Sequence, residues 1–571
     1  NHINANPEEP GSPQPMYEGA IRYAKAFNNK WAFKISASMM KAVDWYGTNS
    51  TDLNSIAQGD LPFNPGANQV HTFGDEVSNN IGLLRNVSTI QEQANLLGIG
   101  AYIGSIPDQV VSRTGYPEKT LVDYGARNYK LNGALHYRIS DNAEIFYSLN
   151  YGSGTSIYTG AQRYSLNEFF ITQHKLELKG DNYFVRSYTT RDNSGKSYIS
   201  DLNGILINDT WKDNSTWYGE YTLNYLGALA NQQVVPGQLG TTAQQAAAHQ
   251  FARQQADQGR YLPGSAEFNN TAADISGDFI PSGSLFYDRS RMYLTEGQYD
   301  FKNEIDFLDL QVGAAYRVYD LRSNGTIFAD YEGNDITISE IGSYAQASKR
   351  LLQEKLRLMG SLRYDKNENF DGQFSPRMAA VFTEKNHNFR LSYQTGFRMP
   401  STQAQHIDLN VISARLISGL PYYRDKYKIY ENGYSLASVQ EYTAAVAQGA
   451  SPVGASATGL LEPVTSLPAL SPEKVKAIEI GYKGLLMDNR LLIDFAYYYN
   501  RYNNFISQTA IRKAPGPVYP GADPSSDEGA INAINAPSLL TPVTTPGQEN
   551  TFQSYTNIVD RGSCPWLGSW S

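Results

Sequence analysis

Few residues of this chain have types and spacing that could support catalysis or hold a metal ion. The seven His residues are scattered without any paired metal-ligand spacing, and a single Cys, Cys564, excludes an internal disulfide and a Cys-based zinc site. The run Asp365-Lys-Asn367-Glu-Asn369 imitates the start of a calcium loop, but Phe370 stands where that loop needs a Gly to turn. No spacing of Asp and Glu marks a general acid–base pair. We therefore predict no enzyme, no catalytic residue, no metal site and no cofactor.

Aromatic residues in predicted loops are the candidates for contact with a ligand. An exposed aromatic ring can stack on a sugar, a haem or an aromatic chelate. The alternative for any single ring is packing inside its own loop. The candidate ligand-binding residues are Trp45, Tyr46, Trp211, Trp217, Tyr218, Tyr422, Tyr423 and Tyr427.

The elements that would position these loops are most visible in residues 354–401. This segment holds three runs of about ten residues in which apolar and polar side chains alternate, as in Leu356, Leu358 and Leu362 against Arg357 and Arg363. Alternation gives a strand one apolar and one polar face. Such a strand suits a transmembrane β-barrel, with lipid on one side and a polar lumen on the other.

Seven hairpins of this kind can be marked along the chain, with Asn, Asp or Gly in most of their short turns. The connections between hairpins are predicted to be mostly long, and a soluble sandwich or propeller has no reason to sort its connections in this way. We therefore predict an all-β fold, a transmembrane antiparallel up-and-down β-barrel with short turns on one membrane side and long extracellular loops on the other. The predicted connections are residues 41–126, 153–168, 191–296, 322–339, 365–374 and 400–474.

Some of the predicted loops also carry helical pattern. Residues 241–258 and 436–448 are rich in good helix formers, and residues 81–97 are a third candidate. Residues 516–547 are rich in Pro, Ala and Ser, and no structure is predicted for them. Long loops with their own structure are usually lids or binding surfaces.

Composition excludes other classes of protein. The net charge is −9, and no stretch gathers the Lys and Arg of a phosphate-binding face, so we predict no nucleic-acid partner. No run of roughly 18 apolar residues is present, so no membrane-spanning helix is expected. The mean hydropathy of −0.45 does not decide between a soluble protein and a barrel, because barrel strands are only half apolar. The first residues lack a secretion signal, and we expect a chain that begins partway through its gene.

Several short motifs, in order, resemble those of TonB-dependent outer-membrane receptors. The run Thr395-Gly-Phe-Arg-Met-Pro-Ser401 resembles their GFRAPS segment, and residues 471–484 resemble their PEK strand. Residues 362–365 and 375–377 match the strand endings that precede these motifs. Residues 17–19 and 32–34 are similar to early barrel strands of the larger receptors, which have an N-terminal carboxypeptidase-like domain.

The resemblance implies a barrel of about 22 strands around an N-terminal plug, located in the cell outer membrane. It implies import of a scarce, bulky nutrient, such as a siderophore, cobalamin, a glycan or a peptide. The implied partners are outer-membrane lipid, the nutrient and the TonB energy-coupling complex, which acts through the plug, and a surface lipoprotein is a further candidate. By alternation, the residues assigned to the polar lumen or to plug contact are Arg357, Arg363, Arg390, Arg398, Glu479 and Asp494.

The chain departs from this family pattern at both ends. No plug, coupling segment or final barrel strands are recognisable, so we expect residues 1–562 to be a partial barrel that could not transport alone. Residues 551–562 would begin a further strand, and residues 563–571 resemble a foreign or frame-shifted tail. Two other classes of function stay open at this point. One is a passive porin or an adhesin barrel, and the other is a soluble β-rich enzyme or lectin.

Overall fold

A computed structural model describes residues 2–4, 13–160, 162–331, 333–411, 414–488, 490–540 and 548–558. The predicted atypical tail at residues 563–571, including Cys564, lies outside these ranges. Among the described residues, no helix combines the length and apolar character needed to cross a membrane.

Fourteen long strands form one antiparallel sheet in which each strand pairs with the next one in the chain. This up-and-down order is the one that the alternating pattern predicts. Within the described residues the first and last of these strands are not paired with each other, so the sheet is open. The strands are β1 Tyr17–Phe27, β2 Trp31–Val43, β3 Gly125–Ser140, β4 Ala143–Thr159, β5 Arg163–Gly180, β6 Tyr183–Asn193, β7 Arg291–Asp300, β8 Asp309–Leu321, β9 Ile336–Leu351, β10 Leu356–Asn367, β11 Gln373–Glu384, β12 His387–Arg398, β13 Glu473–Leu486 and β14 Leu491–Asn503.

All seven predicted hairpins are present, although β7 begins at Arg291, inside the connection predicted for residues 191–296. Their turns have the backbone that their residues favour. Asn28 and Asn29 adopt φ angles of 48° and 52° in the β1–β2 turn. Asn tolerates this left-handed region better than most residues, because its short polar side chain can bond locally. The local turn chemistry and the alternating pattern therefore specify the same hairpins.

The predicted loop at residues 153–168 is wrong, because β4 and β5 continue through most of it. Only residues 160–162 separate the two strands, and the pairing shifts by a bulge between Gly154 and Ser156. A Gly within a strand often marks such a bulge. Because Gly is also common in turns, Gly152 and Gly154 led to the prediction of a loop. The β2–β3 loop stabilises this extended hairpin by an ion pair. Arg163 Nη2 at the start of β5 lies 2.9 Å from the Oε1 atom of the buried loop residue Glu118.

The strand register gives the sheet two chemically different faces. Directly paired residues point to the same face, and the pairs Arg357↔Val381, Val381↔Arg390 and Arg390↔Gly481 lie on what we call the polar face. The opposite, apolar face carries Leu391 and Ile480, which are paired with each other. Leu391 is 54% exposed and Ile480 53%, so these apolar side chains cover no protein core.

The long connections fold into two clusters at one end of the sheet. The first combines the β2–β3 and β6–β7 loops around buried aromatic residues, and the second is built on a five-stranded sheet. The strands of that sheet are Asp408–Asn410, Arg415–Ile417, Thr551–Asn557, Ile506–Lys513 and Gly433–Ser435. Smaller pairs join His2–Asn4 to Pro13–Pro15, Thr72–Phe73 to Tyr116–Pro117, and Ser78–Asn80 to Val110–Ser112, while Tyr198–Ile199 pairs with β5.

The loops contain more helix than the sequence predicts. The predictions at residues 241–258 and 436–448 are confirmed as α4 and α8, and residues 81–97 divide into a 3₁₀ turn followed by α1. The helices are α1 Ser88–Leu96, α2 Ser200–Trp211, α3 Asn214–Asn231, α4 Thr242–Ala256, α5 Ala266–Gly277, α6 Thr402–His406, α7 Pro421–Lys426, α8 Leu436–Ala447, α9 Ala455–Thr458 and α10 Asp527–Asn535. The 3₁₀ segments are Ser55–Gln58, Ile81–Asn86, Gly100–Ser105, Glu118–Thr120 and Ala536–Leu540.

Helix α3 was not predicted from the sequence, because tertiary packing stabilises it. Its aromatic residues have only moderate helix propensity, but Trp217, Tyr221 and Tyr225 stand four residues apart and are fully buried. They form the apolar stripe by which an amphipathic helix packs. The Asp213 side chain caps the helix by accepting a hydrogen bond from the Thr216 backbone N–H at 2.9 Å.

The segment after β14 belongs to the five-stranded sheet of the second loop cluster and not to the main sheet. Ile506–Lys513 follows β14 after a short break, and it pairs antiparallel with Thr551–Asn557. Residues 551–557 are therefore a strand, although residues 559–562 lie outside the described ranges. That residues 551–562 begin the next barrel strand stays a prediction.

Candidate binding site

The polar face of the sheet carries charges that are paired across neighbouring strands. On β12 and β13, Arg390 Nε donates to Glu479 Oε1 at 2.8 Å. On β13 and β14, Lys483 Nζ donates to Asp494 Oδ2 at 3.0 Å. Such contacts at the surface contribute little to stability, but they show that this face is adapted to water or to polar protein.

All six residues that alternation assigns to the lumen or to plug contact lie on this polar face. Arg390 and Glu479 contact each other, while the others contact different neighbours. Arg357 Nη2 donates to Ser348 Oγ at 3.3 Å, and Arg398 Nη2 donates to Glu473 Oε1 at 2.9 Å. The remaining two are Arg363, which contacts Asp365, and Asp494.

A cavity of about 430 Å³ opens on the polar face at the end where the long loops begin. It brings together two of the six assigned residues, Arg363 and Arg398. Gln405, on α6, lines one side of the cavity. Its side chain is fixed by a hydrogen bond that Nε2 donates to Pro400 O at 2.7 Å. The other polar lining residues include Arg317, Tyr319, Glu340, Asp365, Asn367, Ser401 and Thr402.

Each guanidinium at this cavity is held by a carboxylate. Arg317 Nη1 donates to Glu340 Oε2 at 3.0 Å, and Asn367 Nδ2 donates to the other oxygen of Glu340, also at 3.0 Å. Arg363 contacts both oxygens of Asp365, at 2.7 and 2.6 Å. A bidentate arginine is fixed in direction. The cavity therefore presents fixed donors and acceptors, which suit a hydroxyl-rich or amide-rich surface better than a simple anion.

The sequence analysis missed Arg317, Glu340 and Gln405 as residues of this cavity. Arg317 and Glu340 occupy polar positions in predicted hairpins, and their strands pair them directly. Alternation could have assigned both to the polar face. Only the register and the fold of α6 reveal that they meet Arg363 and Arg398 at one cavity.

The predicted ligand-binding aromatics do not form one site. Trp217 and Tyr218 are buried in the first loop cluster, where Trp217 Nε1 donates to Asp257 Oδ1 at 2.9 Å and the Tyr218 hydroxyl donates to Val77 O at 2.8 Å. Trp211 is half-buried there, with the Arg113 guanidinium 5.6 Å from its ring centroid. The buried rings have no free surface for a ligand.

Two further candidates, Trp45 and Tyr46, follow the end of β2. Trp45 is 67% exposed, whereas the adjacent Tyr46 packs against Tyr124 with ring centroids 4.3 Å apart. The Tyr124 hydroxyl accepts a hydrogen bond from the Gly47 backbone N–H at 3.1 Å. Of these two candidates, Trp45 has a ring that a ligand could reach.

The last three candidates belong to the second loop cluster, on or just after α7. Tyr423 is buried, while Tyr422 is 55% exposed. The Tyr427 hydroxyl donates to Asp408 at 2.6 Å. Burial is the largest effect on the pKa of Asp408 and would raise it, but the charge of Arg415 and the hydrogen bonds from Arg415, Lys426 and Tyr427 together hold that pKa below its usual value. Tyr427 is therefore part of a buried charge network that fixes the loop.

Within the described ranges, no group of three or more His, Cys, Asp or Glu residues could hold a metal ion. The six His residues whose side chains are described all make other contacts; they are His71, His136, His174, His249, His387 and His406. His249, for example, is buried beside Tyr221, whose hydroxyl lies 2.8 Å from His249 Nδ1. Burial lowers the pKa of His249 to about 3.

The family model described as TonB dependent receptor-like, beta-barrel, matches residues 224–561, which is more than half of the chain. The chain belongs to this family. It is a family of receptors and transporters rather than of enzymes. The resemblance drawn from the motifs is thereby confirmed. No curated protein matches this chain in sequence.

Several solved structures are similar to this chain. The siderophore receptor PirA from Pseudomonas aeruginosa is 10% identical with a TM-score of 0.43, over 96% of this chain and 57% of that one. A mutant ferric enterobactin receptor, PfeA, from the same organism in complex with enterobactin is 9% identical with a TM-score of 0.46, over 98% and 57%. The alcaligin outer membrane receptor FauA from Bordetella pertussis is 9% identical with a TM-score of 0.37, over 95% and 54%. The chain spans little more than half the length of these proteins.

Proposed function

We propose that this chain forms barrel wall and external loops of an outer-membrane receptor that imports a scarce, bulky nutrient with energy supplied through TonB. The observation that carries the proposal is the division of fourteen consecutive strands into one polar and one apolar face. Side chains such as Leu391 are costly to expose to water, and pairs such as Arg390 with Glu479 are costly to place in lipid. Lipid on one face and a polar interior on the other satisfy both.

The loops and the polar face have different roles in this proposal. The loops, with Trp45 and Tyr422 as exposed rings, contact the nutrient outside the membrane. Arg357, Arg363, Arg390, Arg398, Glu479 and Asp494 line the lumen or contact a plug, through which the TonB complex acts. Residues 1–562 are then one partial barrel domain, and a surface lipoprotein is a candidate partner at the loop clusters.

The nutrient class is open among a siderophore, cobalamin, a glycan and a peptide. Balanced donors and acceptors at the loop-end cavity are compatible with each of these, because all carry hydroxyl, amide or carboxylate groups. A passive porin or an adhesin is the alternative function. Energy coupling is the property that separates the receptor from both.

Growth on single nutrient sources tests the proposal. A strain lacking the gene is grown on one iron chelate, cobalamin, glycan or peptide at a time, beside a strain lacking TonB. We expect a growth defect on one source that the TonB-deficient strain shares. Uptake that persists without TonB would favour a passive porin, and loss of surface attachment without any uptake defect would favour an adhesin. Recovery of the protein in the soluble fraction would reject a membrane location altogether.

A further inference from the structure

Five polar side chains form a continuous row of hydrogen bonds across the polar face of β2 to β6. We call this row the amide ladder, and its members are Ser36, Asn132, Asn150, Gln173 and Thr190. Ser36 Oγ donates to Asn132 Oδ1 at 3.4 Å, and Asn132 Nδ2 donates to Asn150 Oδ1 at 2.8 Å. Asn150 Nδ2 donates to Gln173 Oε1 at 3.1 Å, and Gln173 Nε2 donates to Thr190 Oγ1 at 3.4 Å. The bonds thus run in one direction across five strands.

The strand register places the members of the amide ladder in one line. Each member is the direct pairing partner of the next. Because neighbouring strands lie about 4.8 Å apart, the row extends about 19 Å along the sheet. The bonds also fix the direction of each amide group, since both its oxygen and its nitrogen are engaged.

The amide ladder uses only half of the hydrogen-bonding capacity of its amides. An Asn or Gln side chain has two N–H donors and an oxygen with two lone pairs. Asn132, Asn150 and Gln173 each donate once and accept once within the row. Each amide therefore keeps one N–H and one lone pair that a ligand can use.

The surroundings of the amide ladder leave these groups accessible. Its three amide side chains are half-buried rather than enclosed. Ala134 and Ser148, which pair with each other, are small neighbours on the side of the short turns. On the side of the loops, a Cβ atom added to Gly152 would meet nothing within 4 Å beyond its chain neighbours. A ligand therefore has room to lie against the row.

An amide at the same height on another strand is not fixed in this way. Gln173 is the eighth residue of β5 and Gln394 the eighth residue of β12, each counted from the short turn. Gln394 lies on the polar face, directly paired with Arg377 and Ala477. Within the described ranges its side chain makes no hydrogen bond. It would lose rotamer freedom on binding a ligand, whereas the amide ladder is already ordered.

The free groups of the amide ladder suit an uncharged, hydroxyl-rich chain. A hydroxyl group donates and accepts from the same atom, so it matches an amide that offers one donor and one acceptor. A charged group would lose hydration there without gaining an ion pair from the ladder. An extended peptide repeats at about 3.3 Å per residue, so it would run out of step with groups about 4.8 Å apart.

We infer that the amide ladder binds an uncharged oligosaccharide along the polar face. The ladder shares no residue with the loop-end cavity and crosses β4 near its middle, so it is a second and separate site. This inference rests on the proposed function, in which the polar face lines the lumen. It selects an uncharged glycan among the four nutrient classes.

Protection of an introduced cysteine tests the inference. In the receptor, the native Cys564 is replaced by Ser, and Ser148→Cys is added beside the amide ladder. The rate of its reaction with N-ethylmaleimide is measured in neutral detergent with increasing maltohexaose, an uncharged oligosaccharide. We expect maltohexaose to slow the reaction to a plateau. High salt should leave this protection unchanged, because the ladder carries no charge.

The chain offers matched controls for the reporter and for the ladder. Ser392→Cys is the control reporter, since Ser392 is the sixth residue of β12 from its short turn, as Ser148 is of β4. We expect no protection there. Beside the reporter at 148, Gln173→Met should raise the maltohexaose concentration for half protection by about tenfold, because each lost hydrogen bond weakens binding by about two- to tenfold. Gln394→Met should leave it unchanged.

A second ladder variant guards against misfolding of the first. Asn150→Ser is a smaller change that removes the central amide, and it should weaken protection in the same direction. A cysteine at 148 that maltohexaose does not protect would overturn the inference. So would equal protection of both reporters, or unchanged protection in both ladder variants.

Two other ligands separate the amide ladder from competing explanations. A capped Gly-Ser hexapeptide that protects better than maltohexaose would overturn the assignment of a glycan. Stronger protection by an oligogalacturonate, lost in high salt, would assign binding to the nearby Lys34 and Lys130 on the same face and not to the ladder. A receptor that is absent from the outer membrane would instead reject the proposed function.

Discussion

Asp75 is a buried acidic residue whose surroundings disfavour its charged form. It is 5% exposed in the β2–β3 loop, and its Oδ2 atom accepts a hydrogen bond from the Gln69 backbone N–H at 2.9 Å. Burial raises the pKa of Asp75 to about 7, with Asp52 adding to the effect. A buried carboxylate with one partnered oxygen is costly to ionise. The loop therefore favours the protonated form.

This environment predicts a pH-dependent effect of Asp75→Asn. The pKa in the folded loop lies above the ordinary value of 3.8, so the stability that the protonated carboxyl contributes is present below about pH 4 and is lost as the pH rises toward 7. An amide has no charge to lose. We expect Asp75→Asn to stabilise the loop against opening by about 1 to 3 kcal/mol at pH 8 and to change little at pH 4.

Hydrogen exchange of the β2–β3 loop at the two pH values measures this effect. Asp60→Asn is the matched control, because Asp60 is exposed in the same loop and should give no difference at either pH. Equal protection in the Asp75→Asn variant and the unchanged protein at pH 8 would contradict the prediction.

At the scale of a single strand, the effect of a substitution in β12 on stability depends on which face of the sheet the side chain occupies. Leu391 lies on the apolar face opposite Ala380 and Ile480, while the next residue, Ser392, lies on the polar face opposite Glu479. A shift by one residue would exchange the two faces. Adjacent positions should therefore respond oppositely to the same substitution.

We expect Leu391→Lys to destabilise the barrel by about 2 to 4 kcal/mol, because a lysine near the middle of the lipid-facing surface loses its hydration. Ser392→Lys should be nearly neutral, since its amine would reach Glu479 across the strand gap. Urea unfolding of the receptor in lipid vesicles measures both free energies. Similar losses for the two variants would mean that lipid does not cover the apolar face.

At the scale of the whole molecule, the short turns lie at one end of the main sheet and the long loops lie at the other end. The turn at residues 385–386 joins β11 to β12, and the loop at residues 368–372 joins β10 to β11 at the opposite end. In the proposed orientation the loop end faces outward. The two loop clusters, with their buried aromatic cores, then lie outside the cell.

Labelling of single introduced cysteines in intact cells tests this orientation. The native Cys564 is first replaced by Ser, and then Asp371→Cys or Asn386→Cys is added. Both positions are exposed at opposite ends of the same strand. We expect a membrane-impermeant maleimide to label the cysteine at 371 in intact cells and the cysteine at 386 only after the outer membrane is opened. Labelling at 386 alone in intact cells would reverse the orientation.

The sequence by itself determined the seven hairpins and the two faces of the sheet. Alternation with period two and short polar turns are local properties, so β10 to β12 could be predicted within a few residues. The six residues assigned to the polar face lie there for the same reason, although their contact with a plug stays a prediction. Where a local signal was ambiguous, as at Gly152 and Gly154, the predicted loop was wrong.

Tertiary structure alone decided which residues meet. The burial of Trp217 and Tyr423 depends on helices and strands that are distant in the chain, so an aromatic residue in a loop could not be classified as exposed or buried from its neighbours. The loop-end cavity needs the register of β8 with β9 as well as the position of α6. The pairing of Lys41 with Arg127 is likewise invisible in sequence, because 85 residues separate the two and only strand pairing makes them neighbours.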